Sequence, residues 1–433
     1  KGPDYIDPLW LGRAAGRPCH NLDFQVQGHA EIGALFGRHA GACDVALVEG
    51  NKGLFDGMDV EGSNSNAALA HLLELPVVLV LDARGTIRGV APLVLGYRQF
   101  DPRLRLAGVI LNFVGGARHE GKLRAVLERY TDVPVLGAVQ RDAALEIGER
   151  HLGLVPANEA EGIESRIDAL ADAVTRQVDL DALLDATRAV PLPAPPARLS
   201  AAEGHCKVRV GIARDRAFGF YYADDLDALE RAGAELVPID TLRDTRLPAL
   251  DGLFIGGGFP ETQMHALAAN TGLRTALREA IEGGLPTYAE CGGLMYLARA
   301  IRWHGERAEM VGVIPAEVEM GQRPVGRGYV KLRETGRGAW PLRAADGALQ
   351  AFHAHEFHYS RLVDLPAGLD YAYAVERGQG IDGRHDGLLL HHLLASYAHL
   401  RDVEQNRWAA RFVDYVRRLQ RATPAPASRG VSA

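Results

Sequence analysis

Short, nearly continuous apolar runs, each closed by a polar or glycine-rich turn and followed by a helix-like stretch, constrain this chain's fold more than any other feature. Residues 45–48, 76–81, 107–111 and 133–136 form the first series. A strand wet on one face alternates apolar and polar side chains, whereas a continuous run is buried on both faces, as in a parallel sheet flanked by helices. The first half is therefore predicted to be α/β with a parallel sheet. The pattern stops around residues 187–206, where Val190-Pro191-Leu192-Pro193-Ala194-Pro195-Pro196 lacks the donors of a ladder. It restarts at 208–212, continues through a helix-like 224–230, and includes runs at 253–255 and 286–289. A second α/β domain is expected there. Trp408, Phe412, Tyr415 and Leu419 make one apolar stripe, which predicts a packing helix. The small, proline-containing tail beyond it is expected to be mobile.

Composition narrows the function classes. The 433 residues are about three times the ~150 expected per domain, so two or three domains are predicted. Apolar residues make up 47% and charged residues 24%, which excludes wholesale disorder, collagen-like repetition and a coiled coil. No apolar run reaches the ~18 residues of a membrane span, and no leader precedes the first motif. A cytoplasmic protein, with no membrane partner, is expected. Lys plus Arg number 48 against 55 Asp plus Glu, a net charge of −7, with no basic tract to follow a phosphate backbone. Nucleic acid is not the expected partner. Cys19, Cys43, Cys206 and Cys291 are too scattered for a disulfide framework or a zinc knuckle.

Cys291 stands apart from the other three. In Tyr288-Ala289-Glu290-Cys291-Gly292-Gly293-Leu294 a strand-like run meets two glycines and then a helical pattern. A nucleophile needs a tight turn of this kind, with backbone N–H groups nearby to hold an oxyanion. The alternative is a buried core thiol. Phe254-Ile255-Gly256-Gly257-Gly258-Phe259-Pro260-Glu261 supplies three residues without Cβ, able to turn N–H groups toward a small ligand; an ordinary turn is the alternative. Two histidine elements compete for the base, Ala395-Ser396-Tyr397-Ala398-His399 and His355-Glu356-Phe357-His358-Tyr359-Ser360. His353 and His355 at i and i+2 share one face of a strand, as metal ligands do, but without a third ligand a structural or substrate-adjacent role is the better reading.

Together these elements resemble the class I (triad) glutamine amidotransferase domain of the cobyrinic acid a,c-diamide synthase family. The resemblance implies Cys291 as nucleophile, His399 as the base beside it, and Gly257, Gly258 and Gly292 around the oxyanion. Gly328-Tyr329 resembles a further element of the family. Many class I amidotransferases place an acid two residues after the histidine, and here that position is Arg401. Asp402 and Glu404 are the candidates for the third group.

The first half resembles the synthetase half of the same family, a P-loop fold related to dethiobiotin synthetase. The matching segments are Lys1-Gly2-Pro3-Asp4-Tyr5-Ile6-Asp7-Pro8, Val48-Glu49-Gly50, Gly53-Leu54-Phe55-Asp56-Gly57 and Gly108-Val109-Ile110-Leu111-Asn112. An acid ending a parallel strand, as Glu49 would, suits Mg²⁺ on a nucleotide triphosphate. Asp4 is a second candidate metal ligand. Asp4, Tyr5, Asp7, Lys52 and Asn112 are the candidate nucleotide or substrate contacts, with Asn112 read as an amide following its strand. Taken singly, each acid could equally be a turn residue or a helix cap. Gly116-Ala117-Arg118-His119-Glu120-Gly121-Lys122-Leu123 is the nearest match to a phosphate loop, but Leu123 stands where a hydroxyl is needed, and it is rejected. The family's loop precedes the Lys-x-Gly-Pro-Asp segment, so this domain is expected to lack its first strand and phosphate loop.

The expected organisation is a synthetase domain at 1–188, a linker at 189–206, the amidotransferase domain at 207–421 and a mobile tail at 422–433. The resemblance implies ATP- and glutamine-dependent amidation of the a and c acetates of a tetrapyrrole. ATP and Mg²⁺ would be the cofactors, and a homodimer is allowed. Asn51-Lys52 and Gly62-Ser63-Asn64-Ser65-Asn66 resemble the branch that amidates sirohydrochlorin or sirohaem rather than cobyrinate. The rival readings are a non-catalytic tetrapyrrole scaffold and an amidotransferase acting on another polycarboxylate.

Overall fold

A computed structural model describes residues 2–150, 153–188 and 207–422. The chain divides into two compact units. Of the described residues, the first contains 2–18, 22–24, 28–150 and 153–188, and the second 19–21, 25–27 and 207–422. Residues 19–21 and 25–27 thus group with the second unit, which departs from the continuous first domain expected at 1–188. The expected linker at 189–206 lies outside the described residues. So does the expected tail from 423 onward, while Ala422 still ends the last helix.

The first unit contains a three-stranded parallel sheet, Val77–Asp82, Leu106–Val114 and Val135–Gln140 in that spatial order. Leu79, Leu81, Val109, Leu111 and Ala138 pack on Val90, Val94, Leu123 and Leu127 of the helices Val90–Phe100 and Ala117–Tyr130. The apolar runs at 76–81, 107–111 and 133–136 therefore become strands. The run at 45–48 does not. Val45 and Leu47 are exposed, and Val48 packs beside Leu22, Ile32 and Leu35 under the helix His29–Ala40. A strand is stable only with a hydrogen-bonded neighbour, and among the described residues this run enters no ladder. Glu49 is accordingly on an extended segment rather than at a strand end.

The second unit is built on a nine-stranded mixed sheet. Its parallel part runs, in spatial order, Leu393–Ser396, Thr287–Glu290, Gly252–Ile255, Val208–Ala213 and Ala234–Ile239. On one face Phe254 and Tyr288 stack with ring centroids 5.2 Å apart and meet Trp408 of the helix Trp408–Ala422. The sequence stripe packs here, with Trp408 and Phe412 buried in the same cluster as Tyr415. On the other face Leu253, Ile255 and Ala289 pack on Leu273, Leu277 and Ile281 of the helix Thr271–Glu282. Both faces are covered, which is why these strands read as continuous apolar runs. The antiparallel extension includes Gly326–Glu334 and Ala351–His358, the second with strict in–out alternation.

Candidate active site

Three neighbouring parallel strands each end in one component of the site. Gly252–Ile255 leads into the glycine run, Thr287–Glu290 into Cys291, and Leu393–Ser396 into His399. Register aligns Ala289 with Ile255 and Glu290 with Ser396, so the three strands expire at one level. Ligands of open α/β sheets gather at the carboxyl ends of such strands.

Cys291 has φ 48° and ψ −101°, a region costly for a residue with a side chain and typical of functional strain, on the order of 1–3 kcal/mol. Its N–H donates to the Ser396 carbonyl at 2.8 Å, and the short helix Gly292–Leu297 starts immediately after it. The sulfur is 4.0 Å from the Phe357 carbonyl oxygen, and the residue is 7% exposed. Glycine is required around it by contact. A Cβ on Gly257 would sit 2.6 Å from His399 Cε1, one on Gly292 would meet Gly258 N at 2.9 Å, and one on Gly293 would lie 2.2 Å from the Ile255 carbonyl oxygen. The structure thus gathers Cys291, His399, Gly257, Gly258 and Gly292 in one place.

His399 is buried between two partners. Its Nδ1 lies 3.3 Å from Glu290 Oε2, and its ring also hydrogen-bonds Cys291. Burial alone would depress its basicity, but the bonds to Cys291 and Glu290 and their charges outweigh this and push it up to about 10. Glu290 Oε1 accepts from the Tyr288 hydroxyl and from Leu400 N–H at 2.8 Å. The neighbouring His355 is held down to about 4 by burial and by His399. His353 and His355 share the half-buried face of their strand, and among the described residues no metal-ligand cluster includes either. His358 is buried on the opposite face and stacks on Tyr397 at 3.9 Å. Tyr329 meets His355 edge-on.

Asp402 accepts from Ala409 N–H at the start of the last helix and from Arg407, and Glu404 is exposed. Arg401 instead bonds the Asn21 carbonyl and Asp224, with its guanidinium over the Tyr222 ring. The acid beside His399 is Glu290. Its signal in the sequence was a charged residue closing an otherwise apolar strand, directly before the cysteine.

In the first unit Asp4 Oδ1 accepts from Ile6 N–H and Asp7 N–H, capping the helix Ile6–Ala15, with Tyr5 half-buried at its start and Asp7 in its first turn. Gly2 touches Asn51, since a Cβ there would lie 2.5 Å from Asn51 Nδ2, so the opening segment abuts the turn that carries Lys52. Lys52 is exposed, and its carbonyl accepts from Asn66 at 2.6 Å. Asn112 lies within the strand Leu106–Val114, opposite Asp82, not after it; its Oδ1 accepts from Phe113 N–H, whose φ is 57°. A local bond of this kind lets the strand continue past the amide. The rejected loop at 116–123 is mostly helix Ala117–Tyr130, with Lys122 exposed on it.

Comparison with known proteins now decides the family. Residues 209–406 match the CobB/CobQ-like glutamine amidotransferase domain, and residues 26–147 match an AAA domain. A protein of Magnetococcus marinus named cobyrinate a,c-diamide synthase is 47% identical over 94% of this chain and 88% of its own length. The chain belongs to the cobyrinate a,c-diamide synthase family, whose members are glutamine-hydrolysing ligases. Relatives of the same name from Methanosarcina acetivorans and Archaeoglobus fulgidus are 38% and 41% identical over 98% and 95% of this chain, each covered to 89%. The two-domain α/β architecture, a P-loop-like domain followed by a class I glutamine amidotransferase domain, follows from both family matches. Among the described residues no helix is long and apolar enough to cross a membrane.

Proposed function

We propose that this chain amidates the a and c acetate side chains of cobyrinate, taking nitrogen from glutamine and activating each carboxylate with ATP. The observation that carries the reading is the convergence of Cys291, His399 and the glycines at three adjacent strand ends. The names of relatives up to 47% identical support the substrate class. In the glutaminase half, the Cys291 sulfur attacks the side-chain carbonyl carbon of glutamine, and backbone N–H groups of Gly257, Gly258 and Gly292 hold the oxyanion. His399 gives a proton to the departing nitrogen, so ammonia leaves and a thioester forms. Water, losing a proton to His399, then releases glutamate and restores the sulfur. In the synthetase half the acetate carboxylate becomes an acyl phosphate, from which ammonia displaces phosphate.

Asp4, Tyr5, Asp7, Lys52 and Asn112 are the residues of the first unit assigned to nucleotide or substrate contact. The carboxylates of Asp4 and Glu49 offer hard oxygen donors, the chemistry that suits Mg²⁺. Bound there, the ion would neutralise phosphate charge. The protein is assigned to the cytoplasm with its small-molecule substrates.

Two measurements test the reading. Cys291→Ala is expected to abolish glutamine-dependent amidation, by about 10³-fold or more, while ammonia still supports it. Equal loss with both nitrogen donors would overturn the assignment. A panel of cobyrinate, hydrogenobyrinate and sirohydrochlorin is expected to favour cobyrinate. Preference for sirohydrochlorin would move the chain to the branch that its Asn51-Lys52 turn resembles.

A further inference from the structure

The class I pattern places an acid two residues after the histidine, and this chain has Arg401 there, turned toward Asp224 and Asn21. We infer that Glu290, the residue immediately before the nucleophile, orients and charges His399 in glutamine hydrolysis, so that acid and nucleophile occupy successive positions on one strand end. The inference rests on the glutaminase reading of Cys291.

Geometry separates this role from that of an ordinary buried acid. Tyr288 and Glu290 lie two apart on Thr287–Glu290 and so share a face. The Tyr288 hydroxyl and Leu400 N–H both donate to Oε1, which leaves Oε2 for the imidazole Nδ1. Cys291, at positive φ, follows directly, and sulfur and carboxylate both hydrogen-bond the same ring. With Nδ1 committed to Glu290, Nε2 is the nitrogen left for the sulfur. The carboxylate therefore holds one tautomer and stabilises the imidazolium. The Leu400 bond also ties the acid to the loop carrying His399, because Leu400 is its next residue.

The surrounding groups sharpen the argument. His399 faces Cys291 and Glu290 from the strand Thr287–Glu290 and its turn, and His355 from Ala351–His358. Tyr288 donates to Glu290, and the Glu290 charge also acts on Tyr221, Tyr373 and Asp225. The tyrosines have their pKa raised by burial first and by nearby acids, including Glu290, second. Asp225 is likewise pushed up, mainly by burial. The basic group against Glu290 Oε2 is the His399 imidazole.

Glu290→Gln keeps the shape but presents either an amide N–H or an uncharged oxygen to Nδ1. The expected result is a glutaminase kcat lower by about 10³- to 10⁴-fold, with little change in KM and with ammonia-dependent amidation retained. Alkylation of Cys291 by iodoacetamide should slow at pH 7, and its midpoint should move to higher pH, because the sulfur loses its imidazolium partner. Glu290→Asp should recover at least tenfold over Glu290→Gln. A purely structural acid would leave the alkylation profile in place, so an unchanged profile, or a kcat within threefold of wild type, overturns the inference. If Glu290→Gln does not fold, nitrogen NMR of histidine-labelled wild type, with His399 assigned by substitution, decides. A proton on Nδ1 throughout pH 7–9 supports the inference, and an unprotonated Nδ1 overturns it. Absent glutamine hydrolysis in the wild type would instead refute the reading of Cys291, which keeps the two failures distinct.

Discussion

His355 and His399 are joined by paired backbone hydrogen bonds yet titrate in opposite directions. His399 has two acceptors for its charge, whereas His355 has burial and a positive neighbour against it. The consequence for stability has a definite sign. Below the ordinary histidine range near 6.5 the unfolded chain binds a proton that folded His355 refuses, until pH falls through about 4. The stabilisation from neutral His355 is therefore present above pH 6.5 and is lost progressively between pH 6.5 and 4. Its size is at most about 3.5 kcal/mol, taking ~1.4 kcal/mol per pH unit. His355→Gln should flatten this part of the stability curve, as read from urea midpoints across pH. An unchanged slope would show that other groups dominate it. At this scale the turn that carries Cys291 was legible, because two glycines directly after a strand-like run locate it. Glu290 was not, since nothing in the sequence reveals which imidazole its carboxylate meets.

The strand ends and the loop beyond them set the precision of the site. Asp386, fully buried on His385–Leu390, accepts from Ser396 Oγ and from Tyr397 and Ala398 N–H at 2.9–3.0 Å. Asp225 accepts from Asp402 N–H, and Glu290 from Leu400 N–H. Three buried acids thus pin consecutive stretches of residues 396–402, which otherwise carry no strand partner after Ser396 beyond the bridge to His355. Asp386→Ala leaves three buried N–H groups, those of Gly387, Tyr397 and Ala398, and the Ser396 hydroxyl without their acceptor, at about 1–3 kcal/mol for each such group before relaxation. A loss of about 2–5 kcal/mol in denaturant unfolding is expected, together with lower glutamine turnover from a misplaced His399. A loss below 1 kcal/mol would mean that the loop finds other acceptors. The central parallel strands Val77–Asp82, Leu106–Val114, Val208–Ala213, Gly252–Ile255 and Thr287–Glu290 were legible at this scale because burial on both faces leaves a continuous apolar run, whereas strands such as Ala298–Trp303 and Asp370–Arg377 lack one and were not. Residues 45–48 carry the same signature but spend it against the helix His29–Ala40, because composition cannot reveal whether a neighbouring ladder exists.

At the scale of the whole molecule, the proposed function assigns separable halves of one reaction to the two units. Glu49→Gln should lower amidation with glutamine and with ammonia alike, by at least about tenfold, while glutamine hydrolysis continues; Cys291→Ala should do the reverse. Parallel assays of glutamate release and amide formation read both, and a Glu49→Gln enzyme impaired only with glutamine would remove Glu49 from the synthetase half. The sequence by itself determined the α/β class of both halves, the order of their motifs and the strand-to-glycine turn that carries Cys291, because burial periodicity and glycine turns are local properties of a chain. Tertiary structure alone decided which strands became neighbours. Three strands distant in sequence end side by side, and that adjacency puts Glu290 rather than Asp402 or Glu404 against His399. Hydrogen-bond partnership across more than a hundred residues depends on sheet order and register, and neither is encoded in any single window of the sequence.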